Sequence, residues 1–97
     1  MEITHQKGEE SGFFLAEESG VRMGYLFYEW ASPTQLAIMH TMVEDGFQGR
    51  GIARTLVDAA VGFARESGLT IRPVCPYAEK LFLRERSYDD VNAEKRL

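Results

Sequence analysis

Runs of aliphatic and aromatic residues, separated by short polar turns, dominate the first 43 residues of the chain. Runs of this kind bounded by Gly, Ser and Pro are typical of β-strands, and three of them cover residues 13–16, 21–30 and 35–43. Residues 3–7 form a further candidate, at a sheet edge. Because the turns are short, we expect an antiparallel meander. Both alternating sets in the run 35–43 are apolar, which predicts a central strand covered on both faces. One of these sets consists of Leu36, Ile38, His40 and Met42.

The hydrophobic period lengthens to that of a helix after Gly51. The apolar face of this predicted helix consists of Ile52, Leu56, Ala59, Ala60 and Phe63. Gly68 is a natural end for it, residues 69–74 return to a strand, and residues 77–86 show the spacing of a second helix. A strand, helix, strand order implies a parallel pair with a right-handed crossover. The sequence therefore predicts an α/β fold, a single domain over residues 1–97, with a polar tail at 87–97 that frays.

Composition and charge exclude several classes of protein. Of the 97 residues 44% are hydrophobic and 11% aromatic, which excludes a disordered chain, and a single cysteine excludes an internal disulfide. A net charge of −4 without any Lys/Arg run argues against a nucleic-acid partner. No apolar run approaches the roughly 20 residues of a membrane helix, and the N-terminus lacks a signal-peptide pattern. We therefore expect a cytoplasmic protein with no membrane or nucleic-acid partner and no metal.

The segment from Val43 to Ala53 carries the most informative chemical motif, Val-Glu-Asp-Gly-Phe-Gln-Gly-Arg-Gly-Ile-Ala. It joins the predicted central strand to the first helix. Glycines permit a sharp turn and the close approach of a ligand, and the free N–H groups at a helix N-terminus attract anions. The pattern is neither the Walker motif nor the dinucleotide fingerprint. The residues alone therefore allow either a phosphate site or a tight connection.

The spacing Gln48-x-x-Gly51-x-Ala53, five residues after Val43, resembles the acetyl-CoA motif of the GCN5-related N-acetyltransferases. The predicted order of strands and helices resembles the core of that family over residues 11–88. Two further motifs resemble its small single-domain members, often called GCN5-like or YjdJ-type: His40-Thr41-x-Val43 before the glycine motif and Arg72-Pro73-x-Cys75-Pro76-Tyr77 after it.

The resemblance implies acetyl-CoA as cofactor and transfer of its acetyl group to a primary amine, on a small molecule or a protein lysine. It also implies that the backbone of Met42 and Val43 holds the pantetheine arm. Arg50 would contact phosphate or remain a solvated loop charge, and Tyr77 and Lys80 would border the cofactor or lie on the surface. The residues implied around the pyrophosphate are Gln48, Gly49, Arg50, Gly51, Ile52 and Ala53.

The chain lacks two features that shape the acceptor site in larger relatives, a helix pair between the first strands and additional C-terminal strands. We therefore expect an acceptor groove that is open, or that is completed by a protein partner or a weak homodimer. A non-catalytic acyl-CoA-binding or partner-docking module on the same fold is the main alternative function. A hydrolase that acts through Cys75 is a weaker alternative.

His40 and Cys75 are the candidate catalytic residues. If the strands at 35–43 and 69–74 are parallel neighbours, both side chains lie near the carboxyl ends of strands, where ligands bind in such sheets. Cys75 would accept the acetyl group with His40 as its base, or His40 would deprotonate the amine while Cys75 lines the pocket. A buried thiol and a core histidine are the alternative structural roles. His5 is expected to lie on the surface.

Overall fold

The computed structural model describes residues 1–95 and contains five β-strands, two α-helices and one 3₁₀-helix. The strands are β1 (Glu2–Lys7), β2 (Ser11–Glu18), β3 (Val21–Ser32), β4 (Gln35–Val43) and β5 (Thr70–Pro73). The helices are α1 (Ile52–Ser67), α2 (Pro76–Arg84) and the 3₁₀-helix Arg86–Tyr88. Every element that the hydrophobic pattern predicts is therefore present, with small shifts at the ends.

The strands form one sheet in the order β1-β2-β3-β4-β5. Neighbours from β1 to β4 are antiparallel, and α1 crosses over to place β5 parallel to β4. A parallel neighbour requires a long crossover, because a tight turn reverses the direction of the chain. The predicted α/β fold, an antiparallel meander followed by a parallel pair, is confirmed.

Both helices pack on the same face of the sheet. Leu56 of α1 and Phe82 of α2 belong to one buried cluster with the strands, and Arg54 of α1 pairs with Glu85 just after α2 at 2.9 Å. No described segment covers the opposite face, which we call the open face, and Met42 on that face is 50% exposed. The prediction that β4 is covered on both faces is therefore wrong.

Within residues 1–95, neither helix is long and apolar enough to span a membrane.

A β-bulge at Met39 divides β4 into two parts. Ile38 pairs with Tyr28 of β3 whereas His40 pairs with Phe27, so Met39 has no partner in the register. Because side chains alternate across a strand, this extra residue moves His40 to the face opposite Ile38. The prediction that Leu36, Ile38, His40 and Met42 share one face is therefore wrong. The pair on the helix-covered face is Leu36 and Ile38, and the pair on the open face is His40 and Met42.

His5 lies in a half-buried aromatic cluster. Its ring stacks on Phe14 with 4.0 Å between centroids and meets Phe63 of α1 edge-on at 4.5 Å, and its Nε2 is 2.7 Å from the hydroxyl of Tyr28. Burial, with a smaller contribution from the charge of Lys7, lowers the pKa of His5 below its usual 6.5. The predicted surface position is wrong because α1 brings an aromatic ring to this edge of the sheet.

The segment after α2 is docked against β5. Tyr88 and Val91 are buried, and Asn92 forms a parallel bridge with Ile71. The N–H of Ile71 donates to the carbonyl of Val91 at 2.6 Å, and the N–H of Ala93 donates to the carbonyl of Ile71 at 2.8 Å. Backbone pairing and two apolar side chains hold a mostly polar segment in place, so the predicted fraying is wrong over residues 87–95. The rest of the predicted tail, residues 96 and 97, lies outside the described part.

Candidate functional site

The parallel strands β4 and β5 separate at their carboxyl ends. Their register joins residues 35–38 to residues 70–73 and stops there, while β4 continues well beyond this point. The next two amides, of Val74 and Cys75, both donate to the carbonyl of Ile38 at 3.0 Å, and the chain then turns into α2. Beyond Ile38, no described strand pairs with this side of β4, so its backbone edge is open.

A cavity of about 310 Å³ lies where the strands separate, and we call it the β4–β5 cleft. Open α/β sheets bind ligands at such carboxyl ends. The lining residues come from β3, the second half of β4 and the start of α2: Tyr25, His40, Thr41, Met42, Cys75, Pro76 and Tyr77. The cleft therefore brings together His40, Met42, Cys75 and Tyr77, four of the residues singled out from the sequence.

The glycine-rich turn after β4 leads into the N-terminus of α1. Gly51, with φ 74°, is in the left-handed region and precedes the helix without a side-chain cap. Its carbonyl accepts hydrogen bonds from the amide and the hydroxyl of Thr55, at 3.0 and 2.9 Å. The first turn of α1 contains no acidic residue, so nothing in that turn neutralises the partial positive charge of its N–H groups. This end of α1 suits an anionic ligand.

Arg50 is held by contacts beside this turn. Its guanidinium lies 3.4 Å from the carboxylate of Glu18 and 5.6 Å from the ring centroid of Phe47. Both partners of the ion pair are about half exposed, and pairs of this kind stabilise a protein by roughly 0–1 kcal/mol. A phosphate group would therefore compete readily with Glu18 for Arg50.

Of the other residues implied around the pyrophosphate, Gln48, Gly49 and Gly51 are exposed, Ala53 is half-buried and Ile52 is buried.

Cys75 is buried and engaged in local contacts. It is 6% exposed and is the N-cap of α2, where its Sγ accepts a hydrogen bond from the amide of Ala78 at 3.5 Å. The hydroxyl oxygen of Thr41 lies 3.4 Å from the same sulfur. These contacts match the behaviour of a structural thiol, and they hold the sulfur in the wall of the β4–β5 cleft.

His40 is exposed at the rim of the cleft. Its ring stacks on Phe27 with 6.1 Å between centroids, and its nitrogens have no hydrogen-bond partner among residues 1–95. The structure thus brings His40 and Cys75 to one cavity but does not join them by a hydrogen bond. An exposed imidazole without a partner is available to exchange a proton with a ligand.

Tyr77 lines the cleft, whereas Lys80 does not. Tyr77 is 37% exposed, and burial is the largest cause that raises its pKa above the usual 10, so its hydroxyl is protonated at neutral pH. Lys80 lies nearly one turn later on the exposed side of α2, beside Leu83 and Arg84. Lys80 is therefore a neighbour of the cleft rather than part of its wall.

Sequence reasoning does not identify two residues of the cleft wall, Tyr25 and Thr41. Alternation along residues 21–30 places Tyr25 on the same face as Phe27, and this signal points to Tyr25 once the open face is known. Thr41 belongs to the motif His40-Thr41-x-Val43, but the sequence does not show which way its side chain faces, because the bulge at Met39 decides this.

Residues 12–91 match the profile of a family described as GCN5-related N-acetyl-transferase. The match covers most of the chain, and the chain therefore belongs to the GCN5-related N-acetyltransferase family, which confirms the resemblance indicated by the glycine motif.

Protein NATD1 of Xenopus tropicalis is 40% identical over 55 residues, which are 57% of this chain and 50% of that protein. Protein NATD1 of Bos taurus is 38% identical over 60 residues, 62% of this chain and 52% of that protein. The chain spans about half the length of the curated relatives it matches.

Solved structures share the fold. The NMR solution structure of a GCN5-like protein from Staphylococcus aureus has a TM-score of 0.68 and 29% sequence identity, and the alignment covers 92% of this chain and 86% of that one. AAC(6')-Iy, solved with the bisubstrate analog CoA-S-monomethyl-acetylneamine, has a TM-score of 0.58 and 18% identity over 78% of this chain and 60% of that one. At that identity the second likeness concerns the fold alone.

Proposed function

We propose that this chain binds acetyl-CoA at the β4–β5 cleft and transfers the acetyl group to a primary amine. The observation that carries the proposal is the separation of β4 from β5 next to a glycine-rich turn at the N-terminus of α1. One side of this arrangement offers an open strand edge, and the other offers N–H groups suited to phosphate. Family membership supports the same reading, and AAC(6')-Iy, which shares the fold, is solved with a CoA-based bisubstrate analog.

The residues present fit this cofactor. The backbone of Met42 and Val43 belongs to the unpaired stretch of β4, where N–H and C=O groups can pair with the amides of a pantetheine arm as a strand would. Gln48, Gly49 and Gly51 are exposed in the turn, and with Arg50 they would hold the pyrophosphate. Bound there, acetyl-CoA supplies a thioester with a transferable acetyl group.

His40 is the residue we assign to proton transfer. An alkylamine with a pKa near 10.4 is only about 0.1% neutral slightly above pH 7, and only the neutral form is a nucleophile, so a nearby base assists the reaction. His40 is exposed at the cleft rim and has no competing hydrogen bond in the described part of the chain. It would accept a proton from the amine directly or through a water molecule.

Cys75 is assigned to the cleft wall rather than to a covalent step. Its sulfur is already engaged by the amide of Ala78 and the hydroxyl of Thr41, and the side chain is 6% exposed. A nucleophile needs an accessible thiolate with a base within hydrogen-bond reach. His40 makes no hydrogen bond to it, so direct transfer to the amine is the pathway the geometry favours. The new carbon–nitrogen bond would then replace the carbon–sulfur bond of the thioester, and His40 would pass the proton from the amine to the CoA thiolate that leaves. The backbone N–H groups at the open edge of β4 would polarise the acetyl carbonyl.

The proposal is tested by two measurements on the same protein. A ligand that binds only the folded state raises the melting temperature, so saturating acetyl-CoA is expected to stabilise the chain. CoA release is then measured with a panel of amines and lysine peptides. The expected result is stabilisation together with amine-dependent CoA release. Stabilisation without release across the panel would support the non-catalytic module instead, and the absence of stabilisation would contradict both.

A variant separates the role of His40 from binding. The change His40→Gln keeps the approximate size and the polarity of an exposed side chain but removes the imidazole nitrogens that would accept a proton. Loss of general-base catalysis lowers turnover by about 10²–10⁴-fold, while the acetyl-CoA-induced rise in melting temperature is expected to persist. Unchanged turnover, with the same dependence on pH, would show that His40 is not the base.

A further inference from the structure

The open face of the sheet carries a second and larger cavity, of about 490 Å³. We call it the open-face pocket. It shares Tyr25 and His40 with the β4–β5 cleft, so the two cavities adjoin each other at these side chains. Its volume lies within the 300–1,000 Å³ typical of small-molecule sites. A ligand in this pocket would therefore lie next to the imidazole of His40.

The floor of the open-face pocket is aromatic. The ring centroid of Phe13 lies 5.0 Å from that of Phe27 and 6.0 Å from that of Tyr25, and Leu15 completes the floor. The three rings are half-buried, so they present faces and edges to a ligand. Such a surface favours a flat or branched apolar body.

Three polar side chains surround this floor: Gln6, Arg22 and His40. None of them has a hydrogen-bond or ion-pair partner within residues 1–95. Arg22 is the one formally charged side chain among the described residues that line the pocket. Glu17 lies opposite Arg22 in the strand register, but it forms no ion pair with Arg22 and does not line the pocket. The lining of the pocket therefore carries one positive charge, that of Arg22, although the whole chain has a net charge of −4.

We infer that the open-face pocket binds the acetyl acceptor, and that this acceptor is a small primary amine with an aromatic or alkyl body and an anionic group at its far end. The amine would lie at His40, the apolar body on the floor and the anionic group at Arg22, which binds carboxylate in a bidentate manner. A polycationic amine is disfavoured by the charge of Arg22. This inference rests on the proposed function, since it names the substrate class of that site.

The positions of the charged groups define the shape of the acceptor. Arg22 is five residues from Phe27, the partner of His40, along β3. At 3.3 Å per residue this spacing is at most about 16 Å, part of which the long arginine side chain covers. An acceptor whose amine and anionic group lie at opposite ends of the molecule suits this spacing better than one whose amine and carboxylate share one carbon.

The test compares two acceptors that differ only in the charge of the far group, 4-(2-aminoethyl)benzoate and the neutral isostere 4-(2-aminoethyl)benzamide. The expected kcat/KM for the benzoate is at least tenfold higher. Arg22→Gln is expected to remove this preference, mainly by lowering kcat/KM for the benzoate, and Arg22→Glu to reverse it. The matched control is Arg72→Gln, which removes a charge beside Ala37 but outside the pocket and leaves the preference intact. Equal rates for the two amines on the unmodified chain would overturn the inference.

Binding without turnover is measured separately, so that the inference and the proposed function fail in different ways. The benzoate is expected to raise the melting temperature of the unmodified chain but not of Arg22→Gln. If this holds while no amine is acetylated, the pocket assignment stands and the proposed function fails. A lysine peptide acetylated tenfold more efficiently than the benzoate would overturn the inference. A dimer in sedimentation velocity that Phe13→Ser dissociates would also overturn it, because a second copy would then occupy the open face.

Discussion

Replacement of Gly51 by Gln tests the phosphate role of the turn before α1. Gly51 has φ 74° and a Cβ built there meets no atom within 4 Å, so a side chain has space but a strained backbone. A left-handed conformation costs a non-glycine residue roughly 1–2 kcal/mol. For a domain of this size, 1 kcal/mol corresponds to about 4–8 °C in melting temperature. The variant is therefore expected to fold with a lower melting temperature.

The matched control is Gly68→Gln at the other end of α1. Gly68 has φ 68° and the same open surroundings, so the backbone strain is equal, but Gly68 lies far along the chain from the proposed phosphate site. Acetyl-CoA at 100 times its Kd stabilises a folded protein by about 2.7 kcal/mol, which is on the order of 10–20 °C here. Differential scanning fluorimetry with and without acetyl-CoA measures both effects.

The expected result is that Gly68→Gln keeps the full acetyl-CoA shift and Gly51→Gln loses most of it, because a side chain then occupies the space that a phosphate needs. A tenfold loss of affinity removes about 1.4 kcal/mol of the ligand-induced stabilisation. Equal shifts for the two variants, after their equal loss of intrinsic stability, would refute the assignment of phosphate to this turn.

Three further predictions concern stability and the thiol. The pKa of His5 is lowered below 6.5 in the folded state, so the unfolded chain takes up the proton first as pH falls. The free energy of unfolding therefore decreases below pH 6.5. Urea titrations at pH 7.5 and 5.5 should show a smaller decrease in this free energy for His5→Gln than for the unmodified chain. Gly12→Ala places a Cβ against the Tyr28 hydroxyl oxygen and 2.8 Å from the backbone carbonyl oxygen of Gln6. We therefore expect it to destabilise the fold by about 1–3 kcal/mol in urea unfolding, and unchanged stability would contradict the packing. Cys75→Ser should keep both the N-cap of α2 and the turnover. Cys75→Ala should lose about 0.5–2 kcal/mol of stability with the cap but retain turnover. If both variants fold but are inactive, the thiol is catalytic instead.

The elements of the fold are predictable because each depends on neighbours in the sequence. Apolar alternation, turn residues and the change of period at Gly51 mark the strands and α1. The glycine motif is also local, and it is the reason that the pyrophosphate-binding residues can be proposed from the sequence. The parallel pairing of β4 with β5 follows from the helix between them.

The features that sequence reasoning misses are those that tertiary structure decides. The extra residue at Met39 has no side-chain signature, since an apolar residue is expected there in either register, yet it moves His40 to the open face. His5 is half-buried because Phe63 from a distant helix packs against its ring. The open-face pocket cannot be predicted from one strand either, because Phe13 and Tyr25 come together only through strand pairing.

The pairing of the C-terminal segment with Ile71 has a consequence for self-association. An exposed strand edge is a template on which another chain can add a strand. Residues 91–93 use the N–H and the C=O of Ile71, and so occupy the outer edge of β5. A chain shortened before Val91 would present that edge and lose a buried apolar side chain at the same place. The segment therefore protects the sheet against recruitment of further chains, and its value to the protein lies in solubility as much as in stability.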